Sequence, residues 1–190
     1  MTRLYLFEDF NGVSDELTEK IISILPEGCR RRASRYTQSW DRRNSACAYL
    51  LLVYALRESF GIKSFDIEAS EHGKPRLKEC DNIHFNISHC RDGCVCAVSD
   101  KEIGIDIQEI RPFSQRLAER VCCENELALI ADSDNKAAEF TKIWAMKESF
   151  IKMNGQGFSY TLKKADTTVM DFIKAKRKGN YYIALAYKSD

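Results

Sequence analysis

Two long helical patterns, each closed by glycine and each in a different half of the chain, constrain the possible folds most. Trp40 to Phe60 runs into Gly61, with Leu50, Leu51, Tyr54 and Leu56 as apolar content and Ser39 as the expected cap. Ala137 to Met153 runs into Gly155 and Gly157. Strand-like pieces accompany both helices: Arg3 to Phe7, Phe65 to Glu68, His84 to Ile87, Cys94 to Val98 and Ile103 to Ile107. Val169 to Tyr187 reads as a hairpin turning at Lys178-Gly179-Asn180. Asp15 to Leu25 is an amphipathic helix capped by Ser14, stopped by Pro26 and followed by a basic connector. Ser114 to Cys122 and Glu124 to Ala131 are shorter helices, and turns fall at Gly73-Lys74-Pro75 and Asp92-Gly93. There is no residue-level repeat and no linker near residue 100, so the halves are expected to pack tightly together.

A length of 190 residues suits one sizeable domain or two small halves sharing a core. Lys and Arg number 29 against 28 Asp and Glu, so the whole-molecule field favours neither nucleic acid nor membrane, and an anion site must come from local clustering. No apolar run approaches the ~18 residues of a membrane span. Glu8 and Asp9 stand where a signal peptide needs apolar residues, so a cytoplasmic location is expected. Eight cysteines include no C-x-x-C pair. A zinc site from His89, Cys90, Cys94 and Cys96 matches no knuckle spacing, and small buried thiols are the better reading.

Four segments carry chemistry. In Ile103-Gly104-Ile105-Asp106-Ile107-Gln108, alternation puts the isoleucines on one strand face and Asp106 and Gln108 on the other. That face is either a polar strand surface or a pair of oxygen donors for one hard cation. On the second long helix, Phe140, Ile143, Trp144, Phe150 and Ile151 share an arc with Lys147 in its middle, where a lysine must pair or snorkel. Glu148 and Lys152 lie at the arc's edge at i and i+4, as a surface ion pair or facing a cleft. Phe85-Asn86-Ile87-Ser88-His89 ends a strand with a hydroxyl and an imidazole. Arg30, Arg31, Arg32, Arg35, Arg42 and Arg43 crowd the approach to the first long helix, and Lys74 adds a cation on a turn; guanidinium forks suit phosphate, and a solvated charge run is the alternative.

Gly73-Lys74-Pro75, Asn86-Ile87-Ser88-His89, Gly104-Ile105-Asp106 and Trp144-Ala145-Met146-Lys147-Glu148-Ser149 followed by Lys152 occur in that order. This set resembles the 4′-phosphopantetheinyl transferases of the larger, pseudo-two-fold monomeric, surfactin-synthetase-activating type, over about residues 26 to 157. The resemblance implies an α+β fold of two similar α/β halves, each with a long helix against a small, mostly antiparallel sheet. Residues 1–101 would form the half on the phosphate and adenine side of coenzyme A, and 102–190 the half with the metal site and catalytic helix. It implies transfer of the 4′-phosphopantetheine arm of coenzyme A to a serine of an apo acyl or peptidyl carrier protein, by a monomer requiring magnesium.

By position, the resemblance makes Asp106 and Glu148 magnesium ligands, with Glu148 the candidate base. Lys152 stabilises the pyrophosphate, Ser88 and His89 contact coenzyme A phosphates, and Lys74, Arg31 and Arg43 cradle the 3′-phosphate. Many members carry a further carboxylate where this chain has Gln108, so an amide oxygen or a water is expected to fill that ligand place. Phe113, Leu117 and Val121 recur at helical spacing just after the metal strand; they are either core or, with Phe113 exposed, a docking point for the acidic helix of a carrier. Two rivals are a non-catalytic module binding coenzyme A or carrier protein, and an RNA-binding protein using the arginines. Intact Asp106, Glu148, Lys147 and Lys152 speak against the first, and the missing aromatic–basic platform against the second.

Overall fold

In a computed structural model that describes residues 1–78, 80–91, 93–155 and 162–188, the two halves repeat one topology. Strand β1 (Thr2–Phe7) leads through helices α1 (Asp15–Ile24), α2 (Glu27–Ala33) and α3 (Ser39–Phe60) to a small hairpin, β2 (Ile67–Ala69) and β3 (Pro75–Leu77). Strands β4 (His84–His89) and β5 (Cys94–Ser99) complete the first half. The second runs β6 (Ile103–Glu109), α4 (Gln115–Val121), α5 (Glu124–Asp132) and α6 (Lys136–Asn154). Short 3₁₀ turns at Leu162–Lys164 and Thr167–Val169 then lead to β7 (Ile173–Lys178) and β8 (Tyr181–Tyr187). The sheets are ordered β1-β5-β4 and β6-β8-β7, and every pairing is antiparallel. In each half the first strand pairs with the last, the last is central, and the long helix packs on the sheet. This is the expected α+β fold of two pseudo-symmetric halves.

Side-chain alternation joins the halves. On β5, Cys94, Cys96 and Val98 turn towards Leu52 and Leu56 of α3, whereas Val95 and Ala97 turn towards Ile103, Ile105 and Ile107 of β6. Strand β5 is therefore buried on both faces, which explains its unbroken run of small apolar residues. Its cysteines are core atoms: burial pushes the Cys94 thiol well above its usual range, and no disulfide joins any of the eight cysteines among the described residues. The opposite face of β6 receives α6. A Cβ at Gly104 would collide with the Ser149 carbonyl oxygen and the Met153 amide nitrogen, so only glycine lets the helix lie this close to the strand. Both long helices stop at a glycine in the left-handed region, Gly61 at φ 68° and Gly155 at φ 69°.

Several local expectations are corrected. The basic connector contains α2, a seven-residue helix too short and arginine-rich to be read from periodicity. It is held by docking: the Gly28 amide donates to Asp66 Oδ1 at 2.7 Å, and a Cβ on Gly28 would sit 2.5 Å from the Ile67 carbonyl oxygen. Ser39 does not cap α3; its hydroxyl bonds Asp15 at 3.2 Å, and the cap residue is Gln38, without a side-chain bond. Pro75 opens β3 as well as closing a turn, and Thr167–Val169 is a 3₁₀ turn before the hairpin. Ser14 caps α1 as expected, accepting from the Leu17 amide at 3.1 Å. Asp92 of the Asp92-Gly93 turn and Gly157 beyond α6 lie outside the described residues.

Lys147, misplaced by periodicity, is paired. It is fully buried, and its Nζ lies 2.7 Å from Glu126 Oε2, donates to the Leu162 carbonyl at 2.9 Å and also to the Ala165 carbonyl. Glu126, equally buried, accepts from the amides of Cys123 at 2.9 Å and Thr167 at 3.0 Å and from the Thr167 hydroxyl at 2.8 Å. The pair ties α5, α6 and the 3₁₀ turns together. Lys147→Met leaves the carboxylate buried without its countercharge, a change that costs about 3–5 kcal/mol. At roughly 2–4 °C per kcal/mol, thermal unfolding should come about 6–20 °C earlier. Adding Glu126→Leu should cost less than the two single changes summed, because either alone removes the pair. A Lys147→Met protein melting with the wild type would refute the pairing.

Candidate active site

Strand β4 presents residues to both halves by simple alternation. Phe85 and Ile87 face the N-terminal core, while Asn86 and Ser88 face β6. Asn86 Oδ1 accepts the Ile105 amide at 2.8 Å, and two residues on Ser88 Oγ donates to Asp106 Oδ1 at 2.8 Å. These bonds set the register of β4 against β6 and bring the His89 end beside Asp106.

Asp106 is 2% exposed and held on both oxygens. Lys152 Nζ lies 2.6 Å from Oδ1 and 2.9 Å from Ser88 Oγ, and Gln108 Nε2 donates to Oδ2 at 2.9 Å. Asp106 and Gln108 thus share a face, as alternation requires, and neighbouring Glu109 pairs with Arg111 at 3.5 Å. Gly104 makes this grouping possible, since the turn of α6 resting on it carries Lys152, with Glu148 one turn earlier. Burial, then the Asp106 charge, raises the Glu148 carboxyl above its ordinary value, against a smaller opposing effect of Lys152. Burial, then the Lys152 charge, lowers the His89 imidazole, whose ring meets Tyr36 edge-on at 6.0 Å.

A cavity of about 590 Å³ opens between the halves, lined by Ser88, His89, Asp106, Gln108, Glu148 and Lys152 together with Arg32, Arg35, Tyr36, Ser45 and Tyr49. Burial pushes the Tyr49 hydroxyl up to about 12, so it remains a proton donor. A second cavity of about 700 Å³ shares Ile87, Glu148 and Lys152 with the first and is walled by Trp144, Leu117, Val121, Ile151 and Leu162. Glu148 and Lys152 therefore stand where a basic cavity meets an apolar one.

Two arginines of the cluster line the first cavity, and neither is one that the resemblance singled out. Arg32 and Arg35 line the cavity; Arg31 is exposed and Arg43 half-buried, and neither is among its lining residues. Arg43 lies over the Phe10 ring at 5.2 Å. Arg42 is bound by Glu19 at 2.6 and 2.9 Å. Arg32 is on α2, whose docking decides which of its faces is inward, and Arg35 lies just beyond the end of that helix. Lys74 borders the second cavity, with its ammonium bound to Glu102, Ile103 and Met153. Phe113 is half-buried and packs edge-on against Phe140 at 5.9 Å; on α4, Val121 is buried and Leu117 is 37% exposed. The condition for a Phe113 docking point is therefore not met.

Among the described residues, one group of three potential metal ligands of the carboxylate, thiol and imidazole kinds comes within 4.8 Å: Cys123, Glu126 and Asp166. One of the three, Glu126, is the buried partner of Lys147. No helix among the described residues is long and apolar enough to cross a membrane.

A cleft between two α/β halves, lined by arginines and a lysine around two carboxylates, has the charge arrangement that group-transfer enzymes use for anionic substrates. Comparison with known proteins gives the family. Residues 12–101 match the model of the 4′-phosphopantetheinyl transferase N-terminal region, and 102–186 that of the 4′-phosphopantetheinyl transferase superfamily. The chain is 32% identical over 154 residues to the 4′-phosphopantetheinyl transferase Sfp of Bacillus subtilis strain 168, covering 79% of this chain and 69% of that protein. It is 35% identical over 137 residues to the 4′-phosphopantetheinyl transferase psf-1 of Bacillus pumilus, covering 70% of this chain and 59% of that one. The holo-[acyl-carrier-protein] synthase of Thermotoga maritima matches 45% of this chain and 61% of its own at TM-score 0.41 and 19% identity, too slight a likeness to add weight. The chain belongs to the 4′-phosphopantetheinyl transferase family, whose defining activity is transfer from coenzyme A to a carrier protein.

Proposed function

We propose that this chain transfers the 4′-phosphopantetheine arm of coenzyme A to a serine of an apo acyl or peptidyl carrier protein, as a cytoplasmic monomer of the surfactin-synthetase-activating type. One observation carries the reading: Glu148 and Lys152, one turn apart on α6, line both a basic cavity and an apolar one. Coenzyme A has the matching asymmetry, with phosphates at one end, a largely uncharged pantetheine arm at the other, and the pyrophosphate between them. The N-terminal half, 1–101, would hold the phosphates through Arg32, Arg35, Ser88 and His89, and the C-terminal half, 102–190, would supply the reacting groups.

In the proposed reaction the serine oxygen bonds to the β-phosphorus of coenzyme A. The bond from that phosphorus to the bridging oxygen breaks, and adenosine 3′,5′-bisphosphate leaves with the electron pair. The serine proton passes to Glu148, directly or through a water. Lys152 moves its charge from Asp106 to the phosphate oxygens on the leaving side, and His89 and the arginines orient the diphosphate. Magnesium fits the donor set: Asp106, Glu148 and the Gln108 amide would offer it hard oxygen donors, and the mutual repulsion that helps raise the Glu148 pKa is what a divalent cation would relieve. When bound, the ion would neutralise pyrophosphate charge.

The test is an intact-mass assay of a panel of apo-carriers incubated with the protein, coenzyme A and magnesium. A gain of one phosphopantetheine arm, lost with excess chelator and restored by magnesium, is expected. No modified carrier would overturn the transfer, and full turnover in chelator would overturn the metal requirement. Arg32→Ala or Arg35→Ala should weaken coenzyme A binding about ten- to a hundredfold, from the loss of a charge-assisted contact worth roughly 1.5–3 kcal/mol. Calorimetry with coenzyme A and with dephospho-coenzyme A distinguishes the phosphates: equal losses place the arginine on the pyrophosphate, and a loss for coenzyme A alone places it on the 3′-phosphate.

A further inference from the structure

Lys74 stands on the Gly73-Lys74-Pro75 turn of the N-terminal half, yet among the described residues its ammonium bonds C-terminal groups. It lies 2.6 Å from Glu102 Oε2 and donates to the carbonyls of Ile103 at 3.1 Å and Met153 at 2.8 Å. An ammonium has three protons, and three acceptors take them. Ile103 and Met153 flank one contact: Gly104, next to Ile103, is where the Ser149 to Met153 turn of α6 rests on β6. Lys74 therefore bonds the strand and the helix on either side of their closest approach. The Met153 carbonyl belongs to the last turn of α6, where carbonyls lack helical partners and a cation is favoured. Glu102 also faces a second N-terminal residue, His84, with Nδ1 3.3 Å from Oε1.

We propose that Lys74 is a positioning residue: it clamps the end of α6 onto β6 across the junction of the halves, and so holds Glu148 and Lys152 in register with Asp106. Lys152 precedes Met153 directly, so release of the Met153 carbonyl loosens the residue that carries the ammonium to Asp106. The aliphatic stem of Lys74 reinforces the clamp, since its Cδ is 3.3 Å from where a Cβ on Gly155 would stand. The inference rests on the transferase reading for its effect on turnover, but the clamp itself is measurable without any reaction.

The experiment compares Lys74→Met, which keeps most of the stem, with Glu102→Gln, which leaves Lys74 in place but weakens its anchor. Three quantities are measured below the melting temperature: kcat at saturating coenzyme A and carrier, the affinities for coenzyme A and dephospho-coenzyme A, and amide exchange across residues 149–154. The clamp predicts a kcat at least tenfold lower in Lys74→Met, a smaller fall in Glu102→Gln, and a double variant no worse than Lys74→Met. It also predicts faster exchange across 149–154 in both, with the ratio of the two ligand affinities unchanged. A selective loss of coenzyme A affinity with kcat intact would instead make Lys74 a 3′-phosphate ligand and overturn the clamp. A lowered melting temperature with unchanged kcat and exchange would reduce Lys74 to a merely stabilising contact and also overturn it. Should Lys74→Met not fold, Glu102→Gln alone decides by the same readings. A wild type that modifies no carrier counts against the transferase reading, while the exchange data still judge the clamp.

Discussion

Asp106→Asn is expected to lower turnover by about 10³-fold or more while leaving the protein folded. The substitution keeps the shape and removes the charge. An asparagine oxygen can still accept from Ser88 and Lys152, which now lie 2.8 and 2.6 Å from Oδ1, so the β4–β6 junction has its bonds. What disappears is a negative charge at the centre of the site. Removing one preorganised electrostatic contact in a water-poor site costs about 10²–10³ in kcat. Here the change also removes a proposed magnesium ligand, and it leaves Lys152 without the countercharge that aims it. The measurement is kcat at saturating coenzyme A, carrier and magnesium, beside a melting curve. Asp106→Ala should be as inactive and less stable, since Ser88 and Gln108 lose their acceptor too. Turnover within tenfold of wild type in a folded Asp106→Asn would remove the residue from the chemistry.

Gly104→Ala adds one methyl group, and its expected effect comes from where that group would stand. The added carbon meets the Ser149 carbonyl and the Met153 amide, which are helix backbone and cannot swing aside as a side chain would. Overpacking in a core costs about 1–3 kcal/mol even where side chains give way, and backbone contacts put this site at or above the upper end. To relieve the clash, α6 must lift off β6, carrying Glu148 and Lys152 away from Asp106. A displacement of ~1 Å of such groups costs about a hundredfold in rate. Gly104→Ala should therefore lose at least a hundredfold in kcat and melt earlier, although the residue touches no substrate in the proposed reaction. Coenzyme A affinity should fall less, because Arg32 and Arg35 belong to the other half. A folded Gly104→Ala with wild-type kcat would show that α6 does not depend on this approach.

The polar motif residues divide by the face they occupy. Asp106, Gln108, Ser88 and Asn86 could be placed from alternation alone, because a strand gives each side chain only two directions and the isoleucines claim one of them. Arg31 and Arg43 could not be separated from Arg32 and Arg35 in that way. Arg31 and Arg32 are neighbours on α2, where each residue turns by about 100°, so which of them faces inward depends on how that short helix docks; Arg35 lies beyond α2 and Arg43 on α3. That docking rests on Gly28 against Asp66 and Ile67, residues nearly forty positions away in the chain. Phe113 lies before α4 and its cap Ser114, so helical spacing did not govern where it points, and it packs on Phe140 of α6.

What the sequence by itself determined is the repeated plan of long helix and antiparallel strands, the glycine stops, and the two polar faces of β4 and β6, because periodicity and turn chemistry are local properties. The buried Lys147 was legible only as a contradiction, a charge in an apolar arc. Its partner Glu126 lies 21 positions earlier, and nothing local connects them. Only the tertiary structure decided that pairing, the choice of arginines at the cavity, and the commitment of Lys74 to the junction of the halves. In each case the deciding contact joins elements distant in sequence, and the energy of burying or pairing a charge depends on which group stands opposite it.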